Sequence, residues 1–225
     1  MNPLPPRKTL IKNPKTILVR APNWIGDQVL AFPFFYQLRQ AFPQARIVVA
    51  CVPWVESIQF KSLVNEVHVL KVAAGSSFFA KFKQLNAHAA QIKNKVGKID
   101  WGISLPNSLS SAWLLKRSGA ELRTGYKFDG RGFLLNDGLE LPDDRAGILH
   151  RAQAYLNLLP DLMRGSTPAT EFFGSYPANE LDDKIPGILK TFEENRFWPG
   201  ERMAVPEGPY WVLAPGATAD SRRWP

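Results

Sequence analysis

The fold is decided by residues 16–42, which read TILVRAPNWIGDQVLAFPFFYQLRQAF. The apolar run ILV at residues 17–19 is typical of a strand buried on both faces of a sheet. A tight polar turn at residues 21–27 follows, and apolar residues at helical spacing begin at Val29. Strand, turn and helix form the first half of a βαβ unit, and open α/β sheets bind ligands at the carboxyl ends of their strands. Residues 23–27 are therefore the first candidate site.

Asp27 is the chemically interesting residue of this turn, and two interpretations of it stay open. Aspartate is a favoured helix N-cap, and its charge suits the positive end of a helix. A carboxylate on the floor of the crevice also suits a general base. The turn holds one glycine, Gly26, so it matches neither the G-x-G-x-x-G fingerprint nor a Walker loop. We do not expect a dinucleotide here.

Composition indicates a globular protein without a disulfide framework. The 225 residues are 45% hydrophobic and 12% aromatic, which excludes global disorder. The single cysteine, Cys51, lies in an apolar run and is expected to be a buried strand residue. Three scattered histidines and one cysteine have no zinc-site spacing. Residues 1–14 lack the apolar core of a signal peptide, and no apolar run is long enough to span a bilayer, so we expect a cytoplasmic protein.

The chain is basic. Its 28 Lys and Arg residues against 20 Asp and Glu residues leave a formal charge of +8. Such a surface favours an anionic partner, which means nucleic acid, a phosphorylated substrate or an anionic membrane face. The alternative is that the charge serves solubility alone.

The rest of the chain alternates strands and helices. Strands are predicted at 46–52, 67–72, 99–105, 122–124 and 210–213, and helices at 53–63, 78–96, 109–117, 148–159 and 181–195. Ser108 is a candidate N-cap of the helix that ends at Gly119, and residues 126–136 form a basic, glycine-rich loop. This alternation predicts an α/β fold with a doubly wound, Rossmann-like parallel sheet.

The predicted organisation has four parts. Residues 1–15 are an N-terminal tail, and residues 16–160 form the Rossmann-like domain. Residues 161–209 are a linker with a connecting helix, rich in Pro, Gly, Ser and Thr at its start. Residues 210–225 read as the first strand and turn of a second domain that is cut off.

Three stretches together resemble one family. They are ILVRAPNWIGD at residues 17–27, LPNSLSSAWLLKRSGAELRTGYKFDGRGFLLND at residues 105–137 and LAPGATADSRRWP at residues 213–225. The chain resembles the N-terminal part of the ADP-heptose:lipopolysaccharide heptosyltransferases of glycosyltransferase family nine, in particular the heptosyltransferase II branch.

The resemblance implies a GT-B fold, in which two Rossmann-like domains face each other across a cleft. The N-terminal domain takes the sugar acceptor, and the C-terminal domain takes ADP-heptose. Transfer inverts the anomeric centre without a metal or cofactor. The family's general base matches Asp27, which favours the base interpretation, and capping is compatible with it. The acceptor is the lipopolysaccharide core, lipid A–Kdo or a heptosylated core, at the inner membrane face. On this view residues 1–225 alone transfer no heptose.

On the donor side, the resemblance places Gly216, Thr218 and Arg222 near the phosphates of ADP-heptose. Arg222 stands where the family often has lysine, which keeps the charge but changes its geometry. Ala217 replaces a threonine found in some members.

Candidate acceptor-binding residues come from the turns and the basic loop. Arg117, Arg123, Lys127 and Arg131 are interpreted as a cationic rim for acceptor phosphates, the alternative being a solvated basic loop. Asn107 and Ser108 are placed to hold sugar hydroxyls, or else form a turn and a cap. Asn23 and Trp24 lie in the first turn, where Trp24 is either a sugar-stacking wall or a packed turn residue. The competing function is a non-catalytic basic module for RNA or an anionic surface. The strand aromatics typical of RNA-binding families are not visible, so we expect no nucleic acid partner.

Overall fold

A computed structural model describes residues 11–71, 75, 77–141 and 150–163 of the chain. The predicted helix at 181–195, the predicted strand at 210–213 and all but the first three residues of the predicted linker lie outside this part. The donor-side candidates lie outside it too; they are Gly216, Thr218 and Arg222. The domain boundaries after residue 160 therefore stay predictions.

In the described part of the chain, six strands form one parallel sheet. They are β1 (Thr16–Arg20), β2 (Arg46–Cys51), β3 (Glu66–Val69), β4 (Trp101–Ser104), β5 (Leu122–Lys127) and β6 (Asp137–Glu140). Their order is β3-β2-β1-β4-β5-β6, and every neighbouring pair is parallel. The order reverses between β1 and β4, as in Rossmann folds, where ligands bind at this point. The predicted fold class is confirmed.

Five α-helices among the described residues cover the two faces of the sheet. They are α1 (Ile25–Leu30), α2 (Phe32–Ala41), α3 (Phe78–Val96), α4 (Leu109–Arg117) and α5 (Arg151–Leu156). Successive strand residues point to opposite faces. Ile17 and Val19 therefore join one core with α2 and α5, while Leu18 joins the other with α3 and α4. Both faces of β1 are buried, which explains its uninterrupted apolar run.

The first helix begins earlier than the sequence pattern suggests. Trp24 is the N-cap of α1, and its side chain makes no capping hydrogen bond. Asp27 lies inside the first helical turn, so the N-cap interpretation of Asp27 is wrong. Ala31 separates α1 from α2. The ladder breaks there because Pro33 has no N–H to donate back into α1.

The helix predicted over residues 53–63 is wrong. Only a 3-10 turn at Pro53–Val55 forms, followed by further turns. The Gln59 backbone N–H donates to Glu56 O at 3.2 Å, and the Gln59 side chain donates to Val55 O at 2.9 Å. The Val55 carbonyl is thus satisfied by a side chain, which competes with helix propagation.

Helix α4 forms as predicted. The Ser108 Oγ accepts from the Ser111 N–H at 3.3 Å, so Ser108 is the N-cap. Gly119 has φ +81°, and Ala120 N donates to Leu115 O at 3.2 Å. These are features of a Schellman motif, which requires a left-handed residue after the helix. Local signals therefore specified this element.

The region after Thr124 holds more structure than the predicted loop. Strand β5 runs on to Lys127, a 3-10 turn spans Arg131–Leu134, and β6 follows. Strand β6 was missed because its sequence, DGLE, has no apolar run. It forms by pairing with β5, where the Thr124 Oγ1 also donates to Asp137 Oδ2 at 2.5 Å.

Candidate functional site

A cleft of about 340 Å³ lies at the carboxyl ends of β1 and β4. Its position is the point at which the strand order reverses. Five residues singled out from the sequence line it together; they are Asn23, Trp24, Asp27, Asn107 and Ser108. These residues come from turns about 80 positions apart in the chain. Strand pairing brings the turns together, since Arg20 of β1 lies beside Ser104 of β4.

Asp27 presents its carboxylate to this cleft. Its side chain is 34% exposed, and its Oδ1 lies 4.0 Å from Nε of Arg151 in α5. Tyr155, one turn along the same helix, also lines the cleft. Burial, followed by the charge of Asp27, raises the pKa of the Tyr155 hydroxyl. Tyr155 therefore stays protonated at neutral pH and is available to donate a hydrogen bond.

The sequence analysis missed three polar residues of the cleft, namely Arg151, Tyr155 and Asp129. Asp129 has φ +47° and Gly130 has φ +69°, and Arg131 N donates to Phe128 O at 3.1 Å. This is the pattern of a type I′ turn, for which an Asp-Gly pair is a known sequence signal. No local signal points to Arg151 or Tyr155, because α5 reaches the cleft only through tertiary packing.

Asn23 rests on a buried arginine. Arg20 is 6% exposed, and its Nη2 donates to Asn23 Oδ1 at 2.5 Å. Its Nη1 donates to the carbonyl oxygens of Ala21 and Ala50. Burial lowers the pKa of the guanidinium to about 10, so it is still charged at neutral pH. The Asn23 carbonyl accepts from Trp54 Nε1 at 2.6 Å, which fixes the turn from the other side.

The expected cationic rim is wrong for Arg131. This side chain is fully buried, and burial lowers the pKa of its guanidinium to about 10. Its nitrogens donate to Tyr126 O, Pro106 O and Ser108 O at 2.8, 2.5 and 3.1 Å. Because its guanidinium nitrogens already donate to backbone carbonyls beneath the turn, Arg131 cannot bind a phosphate at the surface.

The three other basic residues also lie away from the cleft lining. The guanidinium of Arg123 donates to Leu134 O and Ala120 O, both at 2.8 Å. Lys127 pairs with Glu140 at 2.9 Å, and Arg117 is exposed, with its guanidinium 5.9 Å from the ring centre of Trp113. Of the four, Arg117 alone keeps an exposed charge without a carboxylate partner in the described part of the chain.

Asn107 and Ser108 form the opposite wall. Asn107 Oδ1 accepts from Arg131 Nη2 at 3.3 Å. Ser108 Oγ is within 2.7 Å of Ser111 Oγ besides capping α4. Trp24 stands at the rim and is 61% exposed, so it is not a packed turn residue and its ring is open to a ligand.

No group of three or more His, Cys, Asp or Glu side chains among the described residues is arranged to hold a metal ion. Among the helices of this part of the chain, none is both long and apolar enough to cross a bilayer.

Comparison with known proteins points to one family. The sequence model of glycosyltransferase family 9 (heptosyltransferase) matches residues 87–225. The Haemophilus influenzae protein "Lipooligosaccharide heptosyltransferase 2" is 26% identical over 215 residues, which are 93% of this chain and 57% of the relative. The Escherichia coli K12 protein "Lipopolysaccharide heptosyltransferase 2" is 30% identical over 122 residues, 54% of this chain and 34% of the relative.

Solved structures agree with this result. E. coli ADP-heptose lps heptosyltransferase II superposes with a TM-score of 0.53 at 26% identity, over 64% of this chain and 39% of that one. E. coli heptosyltransferase WaaC with ADP superposes with a TM-score of 0.60 over 93% of this chain and 61% of that one, and at 18% identity it supports the fold alone.

The chain spans 33–57% of the length of the curated relatives it matches. The match of the family's sequence model covers more than half of the chain, and it includes Asn107, Ser108, α4 and everything after it. The chain therefore belongs to glycosyltransferase family 9, the heptosyltransferase family.

Proposed function

We propose that this chain supplies the acceptor-binding half of a GT-B enzyme that transfers heptose from ADP-heptose to the inner core of lipopolysaccharide. The observation that carries the proposal is the Asp27 carboxylate, which opens into the cleft at the switch point of the sheet. The family relationship supplies the substrate class, because the relatives are named as lipopolysaccharide and lipooligosaccharide heptosyltransferases.

Asp27 acts as the general base in this proposal. A sugar hydroxyl is a poor nucleophile, so a carboxylate takes its proton as its oxygen attacks the anomeric carbon of the donor. The bond between that carbon and the phosphate oxygen breaks, and ADP leaves with the electron pair. Attack from the face opposite ADP inverts the anomeric centre. Arg151 Nε lies 4.0 Å from Asp27 Oδ1 and lines the same cleft.

The donor is held by the second half of the enzyme. Gly216, Thr218 and Arg222 remain the predicted contacts to its phosphates, since a cationic side chain suits the negative charge that develops on ADP. The reaction as proposed needs no metal and no cofactor. The acceptor carries a lipid, so we place the enzyme in the cytoplasm, in peripheral contact with the inner membrane face.

A transfer assay with the full-length protein tests the proposal. ADP-heptose and a deacylated lipopolysaccharide core are incubated with the enzyme, and the product is identified by mass spectrometry and by the anomeric coupling in its NMR spectrum. We expect one added heptose with inverted configuration, formed equally well with EDTA present. Retained configuration, or loss of activity in EDTA, would contradict the mechanism, and absence of any transfer would contradict the function.

A further inference from the structure

Two buried arginines lie beneath opposite walls of the cleft. Arg20 ends β1 and Arg131 begins the 3-10 turn after β5, and they are 6% and 0% exposed. Within the described part of the chain, neither guanidinium is hydrogen-bonded to a carboxylate. Buried cations are costly unless polar groups surround them, and here backbone carbonyls do so. A buried cation that is not hydrogen-bonded to a carboxylate needs a reason beyond stability.

Each arginine ends on the side chain of an asparagine that lines the cleft. Nη2 of Arg20 is 2.5 Å from Oδ1 of Asn23, and Nη2 of Arg131 is 3.3 Å from Oδ1 of Asn107. A guanidinium has donors only, so the amide atom that faces it must be oxygen. This removes the usual ambiguity between the two ends of an amide. In both residues the amide nitrogen is therefore turned away from the arginine.

A third asparagine shows what a purely structural amide does. Asn136 uses both ends, since its Oδ1 accepts from Arg123 N at 2.6 Å and its Nδ2 donates to Glu121 O at 2.7 Å. For Asn23 and Asn107, in contrast, no acceptor for Nδ2 is found among the described residues. Two oriented donor groups thus remain at the cleft, one on the turn that carries Asp27 and one on the opposite wall.

We propose that Arg20 and Arg131 are positioning residues that lock Asn23 and Asn107 with their amide nitrogens toward the cleft, where they donate hydrogen bonds to oxygen atoms of the acceptor glycan. The inference rests on the proposed function, because a glycan is the ligand that it assumes. Sugar oxygens are acceptors, and donors on both walls fix the ring while Asp27 takes the proton of one hydroxyl. A rigid guanidinium under each amide holds it in one orientation before the ligand arrives, which lowers the entropy lost on binding.

The test separates the two ends of each amide. Asn23→Asp and Asn107→Asp keep the shape and the contact to arginine, because a carboxylate accepts from a guanidinium more strongly than an amide does. They remove the donor that faces the cleft and add one negative charge. Calorimetry measures binding of deacylated lipopolysaccharide core to the full-length protein, and thermal unfolding measures its stability. We expect an unchanged or higher Tm in each variant and a Kd for the glycan that is raised about tenfold. This is the scale of one lost hydrogen bond, together with the repulsion between the new carboxylate oxygen and the sugar oxygen that it faces.

The chain offers a matched control. Arg39 Nη2 donates to Asn65 Oδ1 at 2.7 Å, which is the same chemistry outside the cleft. Asn65→Asp adds the same charge and should leave the Kd unchanged. The measurements are repeated at 0.5 M salt, because simple repulsion by a new carboxylate is screened there, whereas the loss of a donor persists.

A double-mutant cycle tests whether the arginine acts through the asparagine. Arg131→Lys keeps the charge but loses the planar fork. As a single substitution it should weaken glycan binding. In the double variant that also carries Asn107→Asp, it should have little further effect. Additive effects would show that Arg131 acts independently and would overturn its positioning role.

Two results would overturn the inference itself. The first is glycan affinity in both cleft variants equal to that of Asn65→Asp. The second is a loss that disappears at high salt. If the unaltered protein binds no lipopolysaccharide core, the proposed function fails and this inference fails with it. Binding by the unaltered protein with no effect of either variant rejects the inference alone.

Discussion

Replacing Asp27 by Asn removes the carboxylate from the cleft and leaves a side chain of the same size. Loss of a general base lowers turnover by roughly 10²–10⁴-fold, which corresponds to about 3–5 kcal/mol in the barrier. The cost to folding is far smaller. A negative charge in the first turn of a helix contributes about 0.3–1 kcal/mol. Asp27 lies at the low end of that range, because it is one-third exposed and its contact to Arg151 is 4.0 Å long.

Asp129→Asn is the matched control for this variant. Asp129 lines the same cleft, so the substitution removes one negative charge from the same space. Its φ of +47° is a conformation that asparagine also adopts readily, so the turn is preserved. Turnover is measured with the full-length protein at saturating ADP-heptose and core acceptor, and urea unfolding is measured in parallel.

We expect a large loss of kcat for Asp27→Asn, a change of at most about threefold for Asp129→Asn, and similar unfolding free energies for both. Near-normal turnover of Asp27→Asn would refute the assignment of the base. An equal loss in both variants would show that the cleft needs its charge and that neither carboxylate is specifically the base.

Three further predictions concern stability and reactivity. Gly102→Ala places a Cβ 2.8 Å from the Cβ of Ala120, so urea unfolding should show a free energy of unfolding that is lower by about 1–3 kcal/mol. Gly26 has open space around it, so Gly26→Ala should lower the free energy of unfolding by less. Burial, followed by the facing His88 and then Lys95, lowers the pKa of His68. The unfolded chain therefore binds that proton first, and the unfolding free energy should fall as pH drops below about 6.5; a pH profile that His68→Gln does not flatten would contradict this. Burial raises the pKa of the Cys51 thiol to about 12, so Ellman's reagent should react with it only after denaturation, and rapid reaction of the native protein would disprove its burial.

Local sequence signals predicted the helices and strands whose ends and buried faces are specified by their own residues. The N-cap Ser108 and the left-handed Gly119 mark the two ends of α4. The apolar spacing of α3 predicted the helix Phe78–Val96 with both ends correct. Strand β1 was predictable because burial on both faces demands a continuous apolar run. Where a local signal was absent or overridden, as at β6 and at residues 53–63, the prediction failed.

The residues of the cleft likewise fall into those that local signals predicted and those that they did not. Asn23, Trp24, Asp27, Asn107 and Ser108 were predicted because each lies directly after a recognisable strand, and parallel strands end at a common edge. Arg151 and Tyr155 were not, since they reach the cleft from a helix on another part of the chain. Their contribution depends on how α5 packs against α1 and α2, which no local pattern encodes.

The sequence by itself determined the parallel sheet except for β6, the location of the cleft and the carboxylate within it, because buried strands and the turns that follow them have a local signature. Only the tertiary structure decided what the basic residues do. A cluster of arginines in the sequence is compatible with a solvated rim or with buried supports, since charge alone does not specify burial. Packing placed Arg131 among backbone carbonyls under Asn107 and Arg20 under Asn23. Burial and hydrogen bonding depend on the folded surroundings of a side chain. They are the reason why Arg20 and Arg131 hold the walls of the cleft and do not lie in solvent.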